Sequence, residues 1–596
     1  MQHVSPRTEY EARLSARRAT AATLARRCDR FANLRLAVFA AAVLLAWMSF
    51  WAQWISVLWL CAAVAGFGAL MLAHDRALRA RNRTELAAIF YEQCLARLDG
   101  RWMGKGLSGD DLAQHEHPCA ADLDLFGKGS LFELLCTART RAGERTLADW
   151  LLMPATPEEV KARQAAVEEL RLRLDLREEL ALLGTDMRRG VLPEQVVSWA
   201  NEPALFATRT PLRVAHIIAA LSVVSVMGWA FLGLGPLPFT VSVIAIWLLN
   251  RVTQRRVRAV LEALEEPGRE LQILAGVLAR LERESFTCDR LRQVQAVLTQ
   301  GGVRASESIA RFYRLLNWYE ARGNQLFAPV AILLLWDVHF AYAFEAWRLR
   351  HGRRILGWLQ AVGDLEALGA LGAFAYEHPD YPFPEVHAQG PRLEAEQVGH
   401  PLLPASACVR NDLQLGAELR LLVVSGSNMS GKSTLLRTVG INTVLALAGA
   451  PVCAARMRVS PMAIGATLRV QDSIQEGSSR FYAEIRRIRQ LVDLASGPFP
   501  LLFLLDEILH GTNSHDRKIG ADAIVRGLLD AGAIGLVTTH DLALAKTADE
   551  LGARAANVHF EDHLEDGRLI FDYRMRPGVV QKSNALELMR AVGLNV

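Results

Sequence analysis

Between Leu36 and Ala73 there is no Asp, Glu, Lys, Arg or His. That absence argues against a long buried helix of a soluble core, which would normally show a polar stripe. Disulfide scaffolding is also missing as a theme. The eight cysteines form no C-x-x-C pair, and several, such as Cys61 and Cys136, sit in apolar runs, as free thiols facing a reducing compartment would. Charge of one sign is not in excess: the net charge is +4, too mild to argue for nucleic acid by itself. No low-complexity tract or fixed-period repeat appears, beyond two similar apolar segments. The first apolar run starts too late and is too long for a cleaved signal peptide.

Those two segments are what is present instead. Leu36 to Ala73 is about 38 residues, enough for two crossings of ~19. Its middle holds Trp47, Ser49, Trp51, Gln53, Trp54, Ser56 and Trp59, a composition suited to the headgroup level and to the turn of a hairpin. Val214 to Asn250 repeats the pattern, with His216 as its one ionisable residue and Gly233 to Pro238 as its break; its second arm is short. Arginines flank both segments: Arg26, Arg27, Arg30 and Arg35, then Arg76, Arg79, Arg81 and Arg83; Arg209 and Arg213, then Arg251, Arg255, Arg256 and Arg258. The turns carry no charge, so both hairpins are expected to keep both ends in the cytoplasm. Phe327 to Phe344 is a weaker apolar run, interrupted by Asp337 and His339, and reads as core.

The chemistry-bearing motif is Gly426-Ser427-Asn428-Met429-Ser430-Gly431-Lys432-Ser433-Thr434, which fits G-x-x-x-x-G-K-[ST]. Leu421 to Val424 before it reads as a buried strand and Leu435 to Leu447 after it as a helix. Backbone N–H groups of such a loop curl around phosphate, and the helix N-terminus adds its positive dipole end. Lys432 then reaches the β- and γ-phosphates of ATP, and the Ser433 hydroxyl ligates Mg²⁺. Downstream, the apolar run Pro500 to Leu505 ends in Asp506-Glu507, as a covered parallel strand would. Asp506 is assigned to Mg²⁺ and Glu507 to the general base that polarises water; a helix N-cap is the bland alternative for such a pair. A third strand, Ala533 to Val537, leads to Thr538-Thr539-His540-Asp541, where His540 is placed to sense the γ-phosphate.

These residues resemble the MutS family. Gly426 to Thr434 is similar to its loop G-P-N-M-x-G-K-S-T, with Ser427 in place of proline. Asp506 to Ser514 is similar to D-E-x-G-R-G-T-S, with Leu509-His510 replacing Gly-Arg. Thr539-His540 matches its T-H pair. Gly477 to Glu484 resembles G-x-S-T-F-x-x-E, with Arg480 replacing Thr. Tyr573 to Lys582-Ser583 resembles the end of the ATPase domain. Gly127 to Glu169, Gly363 to Leu368 and Gly399 to Leu403 resemble the core or lever domain. The resemblance implies an ABC-type α/β P-loop ATPase working as a homodimer with composite sites, in which Ser479 reaches the γ-phosphate held by the partner subunit. It also implies DNA binding related to mismatch repair, although the mismatch-reading N-terminal domain is expected to be absent. Phe90-Tyr91-Glu92 fits the bare F-x-E of mismatch wedges but lacks its surroundings and reads as chance.

The expected organisation is a basic helical arm on the membrane surface (1–33), transmembrane hairpin 1 (34–74), a connector (75–125), the first part of an all-α MutS-core-like domain (126–210), transmembrane hairpin 2 (211–252) in the place of the family's DNA clamp, the second part of the core (253–390), and a MutS-type ATPase domain (391–596). The expectation is therefore a multi-pass protein of a bacterial-type inner or plasma membrane, with its ATPase in the cytoplasm. Two functions stay open: a DNA-binding ATPase related to mismatch repair, and a membrane mechanochemical or scaffold ATPase that has lost its DNA grip. A transporter ranks last, because the spans hold almost no ionisable group for a substrate path. His115-x-His117-x-Cys119 lies in a polar connector and reads as loop rather than metal site.

Overall fold

The computed structural model describes residues 5–54, 56, 58–114, 116–183, 193–300, 302–325, 327–468, 480–509, 512–540, 542–565 and 568–580. The chain divides into two compact units, residues 1–106 with 174–182, and residues 107–173 with 183–596.

The first unit is built on two long helices, α1 (Pro6–Phe50) and α2 (Leu58–Leu98), packed against each other along their length. Ser5 caps α1, accepting from the Thr8 N–H at 3.2 Å, and Pro6 fills the first turn, where a missing N–H costs nothing. The turn falls in the tryptophan-bearing stretch. At 45 residues α1 spans about 67 Å, twice the bilayer's hydrocarbon core. It runs unbroken through residue 33, and α2 runs unbroken through residue 74, so helical continuity crosses both boundaries expected there. No residue of the apolar window in either helix is buried. The opposite ends behave differently: Tyr10, Leu14, Phe90 and Tyr91 are buried, and the Tyr91 hydroxyl donates to Glu178, which also pairs with Arg17 at 2.7 Å. Glu92 pairs with Arg18.

After the short helix α3 (Leu131–Leu135), the second unit continues with α4 (Arg141–Leu152) and α5 (Pro157–Arg171). Helix α6 (Leu174–Leu183) belongs almost wholly to the first unit. Then follow α7 (Pro193–Asn201), α8 (Thr210–Leu232), α9 (Leu237–Glu262), α10 (Glu265–Leu281), α11 (Asp289–Thr299), α12 (Ala305–Glu320), α13 (Ala328–Leu333) and α14 (Trp336–Glu377). Gly233, at φ 67°, ends α8 in the left-handed conformation that glycine adopts freely, and Pro236 precedes α9. The two helices close on small residues: Ala215, Ala219, Ser222, Ser225 and Gly228 are buried in α8, Ser242 and Thr253 in α9. By length and composition α1, α2 and α8 could cross a membrane; α9 does not qualify, because its apolar stretch gives way to arginines after Asn250. The expected core segment Phe327 to Phe344 needs correction. Val338, Phe340, Ala341 and Phe344 are buried, but Val330 and Ile332 on α13 are exposed, since α13 packs one side only.

Helix α14 is the spine of this unit. Its first half meets α7 and the segment leading to α8; its second half meets α4 and α5. Gly363 permits the latter approach, since a Cβ there would lie 2.6 Å from Thr146 Oγ1 and 2.9 Å from the Ala142 carbonyl. Glu366 accepts from the N–H of Thr140 at 3.0 Å and from its hydroxyl at 2.6 Å, tying the start of α4 to α14. Burial pushes this carboxyl up to about 7, although those donors pull the other way.

Two sheets follow. One has the order β1-β5-β2-β3, from β1 (Glu385–Val386), β2 (Leu393–Val398), β3 (Asn411–Leu415) and β5 (Arg456–Val459). Its first strand precedes residue 391, and Glu385 and Val386 pair in parallel with Arg458 and Val459. The other has the order β10-β9-β4-β8-β7-β6. It comprises β4 (Leu421–Ser425), β6 (Ala463–Thr467), β7 (Leu501–Asp506), β8 (Ile534–Thr539), β9 (Ala555–Glu565) and β10 (Arg568–Pro577), all parallel except the β9–β10 hairpin. Helices α15 (Lys432–Ala448), α16 (Arg480–Ala495), α17 (Ser514–Asp530) and α18 (Leu542–Glu550) accompany it. The unbroken apolar strands are buried throughout, as a parallel sheet covered on both faces requires. Helix α15 packs on both α4 and α5.

Candidate nucleotide site

The register of β4, β8 and β7 brings three strand ends together: Ser425 pairs with Thr539, and Asp506 with Thr538. The loop Gly426–Gly431 leaves β4 and delivers Lys432 to the first turn of α15. Gly426 and Gly431 hold φ of 151° and 102°, which other residues resist. A Cβ at Gly426 would also sit 2.8 Å from Ser430 Oγ, and one at Gly431 would sit 3.0 Å from the Tyr573 ring. Both glycines are therefore required by space as well as by backbone.

Lys432 Nζ donates to the carbonyls of Gly426 at 3.0 Å and Ser427 at 2.9 Å, and lies 3.5 Å from Glu507 Oε1. Burial lowers the ammonium's pKa, and Glu507 and Asp506 oppose the shift. Ser433 Oγ donates to Asp506 Oδ2 at 2.6 Å. Thr538 donates its hydroxyl to the other Asp506 oxygen and accepts the Glu507 N–H at 3.0 Å. His540 Nε2 contacts Glu507 Oε1 and lies 3.3 Å from Lys432 Nζ. Lys432, Ser433, Asp506, Glu507 and His540, singled out separately in the sequence, thus form one cluster. Asn428, Met429 and Thr434 are exposed on the same loop and first turn. Ser479 lies outside the described residues, as do His115, His510, Asp541, Lys582 and Ser583.

Sequence reasoning assigns no role to Thr538 or Tyr573. Thr538 orients both acidic residues. Tyr573 packs over Gly431, and its carbonyl accepts from Asn411 Nδ2 at 3.1 Å. Thr538 lies 31 residues from Glu507 and Tyr573 is also distant in sequence, so neither carried a local signal. His117 Nε2 lies 3.1 Å from the Leu152 carbonyl, and Cys119 beside it is buried.

The site fits a nucleotide with Mg²⁺. The Ser427 and Ser430 hydroxyl oxygens are buried without a hydrogen-bond partner, and such groups normally have one. The loop's glycine-lined concavity, the buried ammonium and the Ser433–Asp506 pair supply donors for phosphate and hard oxygen ligands for the metal.

The loop after the acidic pair departs from the family pattern, and its geometry shows the consequence. Leu509 replaces glycine and sits at φ 61°, in the left-handed region. Its side chain is buried with Val525, Leu528 and Val537. Its N–H donates to Glu484, and its carbonyl accepts from Arg517 Nε at 3.1 Å. Backbone strain of about 1–2 kcal/mol is thus offset by burial of about 1.5–3 kcal/mol. Leu509→Gly is expected to be less destabilising than Leu509→Ala by about 1 kcal/mol, although it removes one more carbon. Urea unfolding of the detergent-purified protein measures this; the reverse order would show that φ strain is not relieved there.

Residues 422–595 match the family model described as MutS domain V, and residues 118–310 match MutS domain III. The chain is 35% identical over 246 residues to the DNA mismatch repair protein MutS of Natronomonas pharaonis, covering 40% of this chain and 28% of that protein. It is 36% identical over 208 residues to the Endonuclease MutS2 of Thermomicrobium roseum, covering 34% and 25%. Against the Endonuclease MutS2 of Thermus thermophilus it is 32% identical over 242 residues, covering 40% and 30%. The chain therefore spans well under half the length of these relatives. Two MutS domains in one chain, with the phosphate loop, the acidic pair and the T-H pair converging on one site, place this chain in the MutS family.

Proposed function

We propose that this protein is a membrane-anchored ATP hydrolase of the MutS class, acting at composite sites between two copies and handling duplex DNA in relation to mismatch repair. The observation that carries the ATPase reading is the convergence of Lys432, Ser433, Asp506, Glu507 and His540. Ser433 and Asp506 would hold Mg²⁺, which supplies charge neutralisation at the phosphates. Lys432, already stripped of water and resting on loop carbonyls, exchanges those contacts for phosphate oxygens. Glu507, fixed through its N–H by Thr538 and through its carboxylate by His540 and Lys432, takes the proton of the attacking water. His540 then senses whether that proton and the γ-phosphate are present. Ser479 from the partner subunit would complete the site. The DNA part of the reading rests on family membership and on relatives named for mismatch repair.

Anchoring rests on α1, α2 and α8, whose length, exposure and arginine flanks suit a bilayer; the arginines on both sides of the first hairpin put the ATPase on the cytoplasmic side of an inner or plasma membrane. A specific observation favours the second reading, a mechanochemical ATPase without DNA. Helix α15 starts at Lys432 and packs on α4 and α5; these pack on α14, and α14 reaches α8 and α9. A continuous helical path therefore joins the nucleotide to the second hairpin. DNA stimulation of ATP turnover, measured in detergent at low and physiological salt, separates the two. The first reading expects stimulation that falls steeply with salt, because phosphate contacts release counterions. A turnover rate indifferent to homoduplex and mismatched DNA at low salt overturns it.

A further inference from the structure

The last turn of α12 and helix α13 carry apolar surface that the protein leaves uncovered. Trp318 is 65% exposed, Val330 43% and Ile332 63%. They belong to one local assembly. The Trp336 indole N–H donates to the Trp318 carbonyl at 3.1 Å, and the Phe327 ring meets Trp336 edge-on at 5.1 Å. Arg322, in the short turn Ala321–Gly323, lies 4.2 Å over the Tyr319 ring and pairs with Asp337 at 2.7 Å.

This assembly adjoins α8. Helix α13 packs on α8, and the His339 ring at the start of α14 lies 4.4 Å from His216. His216 sits less than one turn beyond Arg213, where the apolar run of α8 begins. Arg209, Arg213, Arg251, Arg255 and Arg322 are all exposed near the ends of these elements, and the Arg251 guanidinium covers the Trp247 ring at 5.3 Å. Tryptophans and arginines at the end of an apolar helix are the composition of a headgroup region. A soluble partner would not account for the uncovered apolar surface continuing directly into α8.

We propose that Ala328–Leu333, together with Trp318, is a monotopic wedge that lies in the headgroup and upper acyl region of an anionic bilayer beside the second hairpin. Val330 and Ile332 enter the apolar layer, the Trp318 ring stays at its boundary, and the neighbouring arginines meet lipid phosphate. The inference rests on the membrane reading of α8. It goes further by seating part of the helical core itself on lipid. Because α14 begins three residues after α13, the wedge fixes the near end of the helix that leads back to the nucleotide site.

The test is photo-crosslinking of the full chain in vesicles of phosphatidylethanolamine and phosphatidylglycerol. Benzoylphenylalanine is placed, one site at a time, at Ile332, at Val224 in the middle of α8, and at exposed Glu307 on α12. The expected result is a mass increase of one phospholipid for the Ile332 and Val224 variants, at least about tenfold above the Glu307 variant. Lipid adducts at Val224 but not at Ile332 would overturn the wedge and leave the anchor standing. Adducts at neither would overturn both. An Ile332 adduct to a second copy of the chain, or equal lipid labelling at Glu307, would equally overturn the wedge.

Discussion

Lys432→Ala is expected to reduce ATP turnover by about 10³-fold, and Glu507→Gln by about 10²–10⁴-fold. The two losses should differ in kind. Lys432 is the buried ammonium at the phosphate loop, so its removal weakens nucleotide binding and transition-state stabilisation together. Glu507 is the proposed base, and its amide replacement keeps its size and one accepting oxygen, so the variant should bind ATP and stall. Steady-state ATPase assays combined with binding of a fluorescent nucleotide read both effects. A Glu507→Gln protein with near-normal turnover would remove the base assignment and shift attention to His540, which contacts the same carboxylate. Lys432 also satisfies two loop carbonyls, so the Ala variant needs a melting curve beside its kinetics. Glu507→Gln keeps the side chain's size and serves as the cleaner test.

The second large effect is expected far from the nucleotide. Glu345 and Arg348 on α14 form a buried ion pair with 2.9 Å bonds from Arg348 Nε and Nη2. The guanidinium also donates to the carbonyls of Trp199 at 3.0 Å, Glu202 at 2.6 Å and Pro203 at 3.1 Å, and Glu345 accepts the Leu205 N–H at 2.7 Å. The pair therefore clasps the segment between α7 and α8 onto α14. Glu345→Ala strands a buried cation, and Arg348→Met strands a carboxylate and three carbonyls. Either should cost about 3–5 kcal/mol locally. Limited proteolysis in the segment 199–209 should then accelerate on the order of 10²–10³-fold, since cleavage follows the open population. Unchanged proteolysis in Glu345→Ala would show that the clasp contributes nothing to holding the second hairpin on α14.

Much of the nucleotide site was legible because its motifs are short and local. Gly426 to Thr434 combine strand end, phosphate loop and helix start, and an apolar strand ending in Asp506-Glu507 announces itself without tertiary knowledge. The long apolar helices were equally readable as helices, and by length and composition α1, α2 and α8 could cross a bilayer. What sequence could not show was which separate segments meet. Thr538 looked like one more strand residue until β7 and β8 paired in register and set its hydroxyl against Asp506. Leu509 looked like a departure from a pattern; its left-handed backbone and buried side chain emerge only when α16 and α17 close around the loop. Phe327 to Phe344 read as uniform core because hydropathy does not record which side of a short helix its neighbours cover.

The sequence by itself determined the phosphate-loop and acidic-pair motifs and the position of the long apolar runs, because each depends on residue types at fixed local spacing. Tertiary structure alone decided which acidic oxygen faces Ser433, how α14 links the nucleotide to the second hairpin, and which apolar residues of α13 stay outside. Those outcomes depend on contacts between residues far apart in the chain, and they are set by packing and backbone pairing rather than by any local preference.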